Sequence, residues 1–314
     1  MTAPAPTAVL TEDVPEEVVP LRHPWRWVAA AVVTAVVVGV CWSLATNPQL
    51  RWDVVGRYLF TTLVLEGLWT TIWLTVVAMV MGVVGGTLVA VMRLSDNVVL
   101  SGLASGFVWL FRGTPLLVQI IFWGYLGALY PRLELGIPFT DVTLVSATTS
   151  SVVTGSVAAV LALGLNEMAY AAEIVRAGIL GVDRGQTEAA HSLGMSPATT
   201  MRRVVLPQAM RVVVPPFGNE TITMLKSTAL VSVISGHDLL TNLQDVYSQN
   251  FEVIPLLVVA STWYLTLTSL LSVPQRWLEQ RFSRGTSPSV ATPGAVARLL
   301  GRLPRPAVPA EVRR

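Results

Sequence analysis

The sequence EAAHSLGMSPATTMRRVVLPQAMR, residues 188–211, is a polar and basic stretch between two long apolar runs. We expect two short helices here, joined by a tight turn. The first covers Glu188 to Leu193, and Gly194 directly after it is suited to the left-handed conformation that often ends a helix. The apolar runs are therefore separated by a compact, charged helical loop.

The second helix of this loop has start and stop signals of its own. Ser196 is a candidate N-cap, and Pro197 occupies the first helical position, where its missing N–H costs nothing. We expect this helix to run to about Val205 and to end at Leu206-Pro207, because proline disrupts a helix interior. The loop would then present two helices at a fixed angle.

Several apolar residues remain in this otherwise polar loop. A solvated connector is the simpler interpretation of such a segment, but it leaves those residues unexplained. A small apolar face with a basic rim is typical of a docking surface, and we favour docking. The apolar residues are Ala189, Ala190, Leu193, Met195, Met201, Val204 and Val205.

The composition of the whole chain indicates a polytopic membrane protein. Of its 314 residues, 53% are hydrophobic and 13% are charged, whereas soluble domains carry about 25% charged residues. Several uncharged runs are long enough to cross about 30 Å of hydrocarbon. Cys41 is the sole cysteine, and the histidines are too widely separated to form a metal-ligand motif. We expect no metal site and no nucleic-acid partner.

Apolar segments predict six transmembrane helices in an all-α fold, which places both termini on one side of the membrane. The third segment contains Pro115, so its first half is expected to lie along the interface before the helix restarts. The segments cover approximately residues 28–45, 62–92, 98–130, 156–180, 212–234 and 253–273.

Basic residues assign the sides of the membrane. Arginines are concentrated in the helical loop and after the last span, whereas the opposite loops are mainly acidic. Because positively charged loops stay in the cytoplasm, we place the loop and both termini there. The predicted domains are a disordered tail (1–24), an added first helix with an external loop (25–61), a transmembrane domain (62–275) and a disordered basic tail (276–314).

The first apolar segment allows a second interpretation. Ser43-Leu44-Ala45 resembles a signal-peptide cleavage site. The run is long for a signal peptide and the preceding tail is acidic, so we favour a retained span.

The scarcity of lysine excludes a Walker A site for ATP. Lys226 is the only lysine, and Leu225 precedes it. A Walker A loop requires Gly-Lys followed by Ser or Thr, so this chain cannot contain one. We therefore expect no cofactor in this chain, and any ATP-driven work must come from a partner.

The helical loop and its neighbours resemble the permease subunits of ABC importers, in the branch that takes up polar amino acids. The loop of that family has the pattern Glu-Ala-Ala, three residues, Gly, and a later Leu-Pro, as found here. The resemblance spans roughly residues 62–275. It rests on FRGTPLLVQ (111–119), AYAAEIVRAGI (169–179), GQTEAAHSLGMS (185–196), VVLPQAMR (204–211) and LKSTALVSVI (225–234).

The resemblance implies a mechanism in the cytoplasmic membrane of a bacterium. The loop would dock as a coupling helix on a cytoplasmic ATPase dimer, whose closure on ATP rocks two permease subunits, identical or different, between inward-open and outward-open states. An external binding protein would deliver the amino acid. The family core has five spans, so the first span and both tails are departures. The implied coupling residues are Glu188, Ala189, Ala190, Gly194, Leu206 and Pro207.

Charged residues inside predicted spans are costly and therefore candidates for a substrate pathway. Glu173 and Arg176 have the i, i+3 spacing of a simple helical pair. Arg112 is open to two interpretations, an interfacial anchor or a gate residue. The candidates for the pathway are Glu167, Lys226, Glu220 and Arg112, with a permanent pair between Lys226 and either acid as the alternative.

Two other functional classes fit the sequence less well than transport. An intramembrane enzyme needs a nucleophile–base pair or a metal cluster within the bilayer, and the sequence contains neither His-Glu-x-x-His nor Gly-x-Ser-x-Gly. We therefore assign no catalytic residue. A receptor or scaffold would tolerate loss of the charges within the spans, and copurification of an ATPase would distinguish it from a transporter.

Overall fold

The computed structural model of the chain describes residues 24–136 and 143–282. Of its two compact units, the first is Met1–Arg51, and there helix α1 covers Pro24–Thr46. This helix is long and apolar enough to cross a membrane, because its run of valine and alanine carries no charge after Arg26.

The predicted terminal tails fall mostly outside the described residues, which leave out 1–23 and 283–314. The C-terminal tail was expected to be disordered from Arg276, but the last helix continues to Phe282. A local contact supports this extension, since the guanidinium of Arg281 lies 5.2 Å from the ring centre of Trp277.

The second unit begins at Trp52 and is mainly helical. A π-helical turn at Met201–Val205 and a 3-10 turn at Thr228–Ile234 flank one of its helices. In chain order the helices are α2 (Trp52–Tyr58), α3 (Thr62–Arg93), α4 (Val98–Gly113), α5 (Leu116–Gly124), α6 (Leu126–Leu129), α7 (Thr149–Val152), α8 (Gly155–Leu180), α9 (Arg184–Ser192), α10 (Pro197–Thr200), α11 (Leu206–Ser227), α12 (Leu239–Asn250) and α13 (Val253–Phe282).

Helices α3 and α8 pack side by side at the centre of this unit. Gly86 of α3 lies directly against Ala171 of α8, so that a larger side chain would not fit. Leu74, Leu163 and Ile120 are fully buried in one cluster, which ties α5 to the same pair. Small residues that let helices approach closely are a main source of stability within a membrane. The α3–α8 pair therefore forms the frame on which the other helices are placed.

Helices α4 and α5 form a broken pair, bent by 100°. Thr114 and Pro115 lie at the break, and Thr114 is extended, with φ −109° and ψ 141°. Proline disfavours a helical conformation in the residue before it, which explains the break at this place. The predicted restart of the helix at Pro115 is confirmed.

The expected loop between the third and fourth spans contains a β-hairpin, which corrects the all-α prediction. Strand β1 (Arg132–Gly136) pairs antiparallel with β2 (Thr143–Thr148), with Arg132 opposite Thr148. Alternation of Leu133 and Leu135 with polar residues explains why the segment pairs as strands. Asp141, which was expected in this loop, lies outside the described residues.

The number of spans differs from the predicted six. Among the described residues, α1, α3, α8 and α13 are long and apolar enough to span a membrane, and the bent α4–α5 pair makes a fifth if counted as one span. Helix α11, in the predicted fifth span, is not among them. It carries Arg211, Glu220 and Lys226, which lower its hydropathy. Six spans are therefore not confirmed.

Candidate functional site

The helical loop after α8 is built largely as its sequence indicates. Helix α9 begins four residues earlier than expected because Asp183 caps it, accepting a hydrogen bond from the backbone N–H of Gly185 at 2.7 Å. Gly194 has a left-handed φ of 78°, as predicted. Ser196 caps α10 by accepting from the N–H of Thr199 at 3.4 Å, with Pro197 in the first turn.

The apolar residues of the loop divide into two groups. Ala190 and Val205 are buried. Leu193 is 84% exposed, and Met201 is also exposed. Glu188, Ala189 and the residues from His191 to Gly194 are exposed as well. The loop therefore exposes apolar surface beside charged side chains, which is the composition of a docking surface.

The predicted helix end at Leu206-Pro207 is wrong. The chain passes from α10 through the π-helical turn directly into α11, which begins at Leu206. The N–H of Leu206 bonds to the carbonyl of Met201, five residues back. Pro207 therefore lies in the first turn of α11, where its missing N–H and its ring are tolerated. The loop and α11 form one continuous helical element.

The break between α4 and α5 is closed by two buried amide side chains that the sequence analysis did not single out. The Nε2 of Gln119 donates to the carbonyl of Phe111 at 2.8 Å and to that of Thr114 at 3.1 Å. The Nδ2 of Asn166, on α8, also donates to Phe111, at 3.0 Å. Irregular backbone within a membrane needs such partners. The sequence signal for these contacts was the presence of an amide side chain, Gln119 or Asn166, within each apolar segment.

Glu167 follows Asn166 at the middle of α8 and is 2% exposed. Its Oε1 has no hydrogen-bond partner among the described residues. Glu220 of α11 interacts with it electrostatically. Two acids of like charge thus lie near each other, and a cation placed between them would relieve both the desolvation of Glu167 and their mutual repulsion.

Lys226 is exposed near the end of α11, and it forms no ion pair with any residue that the structure describes. A permanent pair between Lys226 and Glu167 or Glu220, the alternative left open by the sequence, is therefore absent from the described part of the chain. Lys226 and Glu167 are also not brought into contact. The two residues lie on different helices, and Lys226 is at the end of α11 that is far from Leu206.

Arg112 lies in a cluster around Glu173 rather than beside Glu167. Glu173 pairs with Arg93, with Arg112 at 3.4 Å and with Arg176 at 2.9 Å. We call these four residues the arginine cluster. The guanidinium of Arg112 also lies 5.0 Å from the ring centre of Tyr170. The i, i+3 pair of Glu173 and Arg176 is confirmed, whereas Arg93, at the end of α3, was missed because only the tertiary fold brings it to α8.

Comparison with known proteins agrees with this architecture. Residues 82–284 match the family described as binding-protein-dependent transport system inner membrane component. The chain is 46% identical over 283 residues to the arginine transport system permease protein ArgU of Corynebacterium glutamicum, covering 90% of this chain and 88% of that protein. It is 34% identical to the L-cystine transport system permease protein TcyB of Bacillus subtilis, and the match covers 77% of this chain and 95% of that protein.

Solved structures share the fold. A crystal structure of an amino acid ABC transporter with histidines matches with a TM-score of 0.60 and 36% identity, covering 73% of this chain and 98% of that chain. The MetNI methionine ABC transporter matches with a TM-score of 0.54 at 20% identity, over 72% of this chain and 100% of that chain, which supports the fold alone. The chain therefore belongs to the family of binding-protein-dependent transport system inner membrane components, the permease subunits of ABC importers.

Proposed function

We propose that this permease subunit imports a polar amino acid across the cytoplasmic membrane of a bacterium. The observation that carries the proposal is the buried carboxyl of Glu167, whose Oε1 lacks a partner within the described chain. A free amino acid supplies the missing partner, because its ammonium group donates hydrogen bonds and carries positive charge. The names of the arginine and cystine relatives support the same class of substrate.

Within this pathway Glu167 accepts the cationic group of the substrate. Glu220 adds negative charge nearby, and Arg112 interacts electrostatically with Glu220 and stabilises that charge. Lys226 is the candidate partner for the substrate carboxylate in a conformation that brings α11 closer to α8. This assignment places opposite charges where a zwitterion needs them.

We further propose that the loop transmits force from an ATP-binding partner. The exposed side chains around Leu193 would dock in a groove on the ATPase, and the continuous path into α11 would carry the movement to Glu220. ATP would be bound by an ATPase dimer rather than by this chain. The coupling residues in this proposal are Glu188, Ala189, Ala190, Gly194, Leu206 and Pro207.

The complete transporter would contain a second permease subunit, identical or different, and an external amino-acid-binding protein. We propose six spans, with α11 shielded from lipid in the assembled complex and both termini in the cytoplasm. The transmembrane domain would comprise residues 62–275, preceded by an added helix and flanked by two cytoplasmic tails. Accessible tags at residues 5 and 290 are expected inside, and one at residue 140 outside.

Uptake by proteoliposomes tests the role of Glu167. Glu167→Gln keeps the size and hydrogen bonding of the side chain but removes its charge, so uptake should fall steeply while basal ATP hydrolysis and assembly persist. Glu66→Gln, an exposed acid on α3, is the matched control and should keep normal uptake. Unchanged uptake by Glu167→Gln, or dissociation of the complex, would exclude the substrate role and favour a structural one.

A further inference from the structure

The arginine cluster carries more positive charge than its acid can neutralise. Three guanidinium groups surround the single carboxylate of Glu173. Arg93 also donates from Nε to the hydroxyl of Ser105 on α4, at 3.3 Å. Three helices thus contribute three guanidinium groups and one carboxylate to one site. Glu220 of α11 also acts electrostatically on Arg112, so at least one positive charge remains for an anion to balance.

The depth of the cluster follows from how α3 and α8 are paired. Moving toward the end of α3, Gly82 lies against Glu167 and Gly86 against Ala171. Arg93, the last residue of α3, then reaches Glu173. Because the apolar span of α3 stops at this level, the cluster lies at the surface of the membrane rather than near its centre.

A cavity of about 400 Å³ opens at the cluster. Arg93, Ser105, Arg112 and Glu173 supply its polar lining, and Trp109 forms part of its wall. The side chain of Trp109 is 76% exposed, as is typical of tryptophan at a membrane interface. The cavity therefore combines cationic donors with an aromatic residue suited to the headgroup region.

Next to this cavity, α4 exposes an apolar face. Val98 and Trp109 are exposed there and share one face of α4 with Ser105 and Arg112, because these four positions follow the helical repeat. Ala104 and Val108 are buried against α3 and α8. A soluble anion would bind to the arginines alone. A phospholipid would use both features, because its phosphate fits the guanidinium groups and its acyl chains lie along the apolar face.

We propose that the arginine cluster binds the headgroup phosphate of an anionic phospholipid. Arg93 and Arg112 hold the phosphate oxygens in the cavity, where the phosphate competes with Glu173 for the two guanidinium groups, and the acyl chains lie along the exposed face of α4. The cavity does not include Glu167, but it shares Arg112 with the proposed substrate pathway.

Native mass spectrometry of the full-length chain in detergent tests the proposal without a transport assay. The chain is mixed with equal amounts of phosphatidylglycerol and phosphatidylcholine that have the same acyl chains. We expect preferential retention of phosphatidylglycerol. Arg112→Gln should reduce this preference about fivefold, the equivalent of about 1 kcal/mol for one arginine near an anionic headgroup. Arg57→Gln, an exposed arginine on α2, should leave it unchanged.

A second variant moves the result in the opposite direction. Glu173→Gln removes the competing carboxylate, so retention of phosphatidylglycerol should increase, whereas a purely structural ion-pair network would only lose stability. Equal retention of both lipids by the unmodified chain would overturn the proposal. Millimolar inorganic phosphate provides a further test. The proposal would also be overturned if phosphate displaced phosphatidylglycerol equally from the unmodified chain and from Arg57→Gln, because the site would then bind a soluble anion.

Discussion

Gly82 of α3 and Glu167 of α8 occupy complementary positions, since a β-carbon at Gly82 would overlap the Cγ of Glu167. The glycine makes the space in which the buried acid lies. An acid at the middle of a membrane helix is costly, and its placement requires a neighbour without a side chain. The position of the candidate substrate residue thus depends on a residue of another helix.

Gly82→Ala is predicted to destabilise the protein and displace Glu167. The added methyl group meets the Cγ and Cβ of Glu167, and overpacking of this kind costs about 1–3 kcal/mol. Thermal unfolding in detergent measures the effect. Gly106→Ala on α4 is the matched control, because no atom lies within 4 Å of its β-carbon position. Equal stability of the two variants would contradict the tight fit.

Gly194→Val is predicted to uncouple the permease from its ATPase. Gly194 has φ 78°, and a β-branched residue in this conformation costs roughly 1–2 kcal/mol. The turn would open and reorient α10 relative to α9. Pull-down of the ATPase and ATP hydrolysis measure the loss. Gly194→Asn should be much milder, since asparagine tolerates the left-handed region; if Val and Asn behave alike, the turn conformation does not matter.

Gln119→Leu is predicted to loosen the bend between α4 and α5. The substitution keeps the volume but leaves the carbonyl of Thr114 without its side-chain donor. An unsatisfied buried polar group costs about 1–3 kcal/mol. The thermal midpoint should fall accordingly. Thr262→Val is the control, because its hydroxyl bonds only to the carbonyl of Val258 within the same helix. If the thermal midpoint of Gln119→Leu were as high as that of Thr262→Val, Gln119 would not stabilise the break between α4 and α5.

Asp238 is predicted to make stability depend on pH. It caps α12 outside the predicted spans, and burial raises the pKa of its carboxyl, while hydrogen bonds from Thr241 and Leu240 oppose the increase. The folded protein therefore keeps the proton at pH values where the unfolded chain has released it. The contribution of Asp238 to stability should be complete below the usual pKa of about 4 and should be lost as the pH rises through the folded pKa.

Asp238→Asn removes this component, so the slope of stability against pH should become smaller. The exposed Asp245→Asn on the same helix serves as the control and should keep the slope of the unmodified protein. Chemical denaturation at a series of pH values provides the measurement. A slope that does not change in Asp238→Asn would mean that another group causes the dependence.

The helical loop was largely predictable because its signals are local. A left-handed Gly194, a capping Ser196 and Pro197 in a first turn depend on a few neighbouring residues. The restart of the helix after Pro115 follows from the same kind of local sterics. The expected stop at Leu206-Pro207 was wrong, because a π-helical turn precedes Leu206 and the helix continues through Pro207.

The sequence by itself determined the apolar segments, the absence of a Walker A loop and the buried depth of Glu167, because composition and helical spacing act along one chain. Only the tertiary structure decided which polar groups meet. Arg93 reaches Glu173, and Asn166 reaches Phe111, across different helices. Such partners are set by the close packing of α3 against α8 and by the bend at Pro115. Contacts between distant segments depend on helix pairing, which no local pattern encodes.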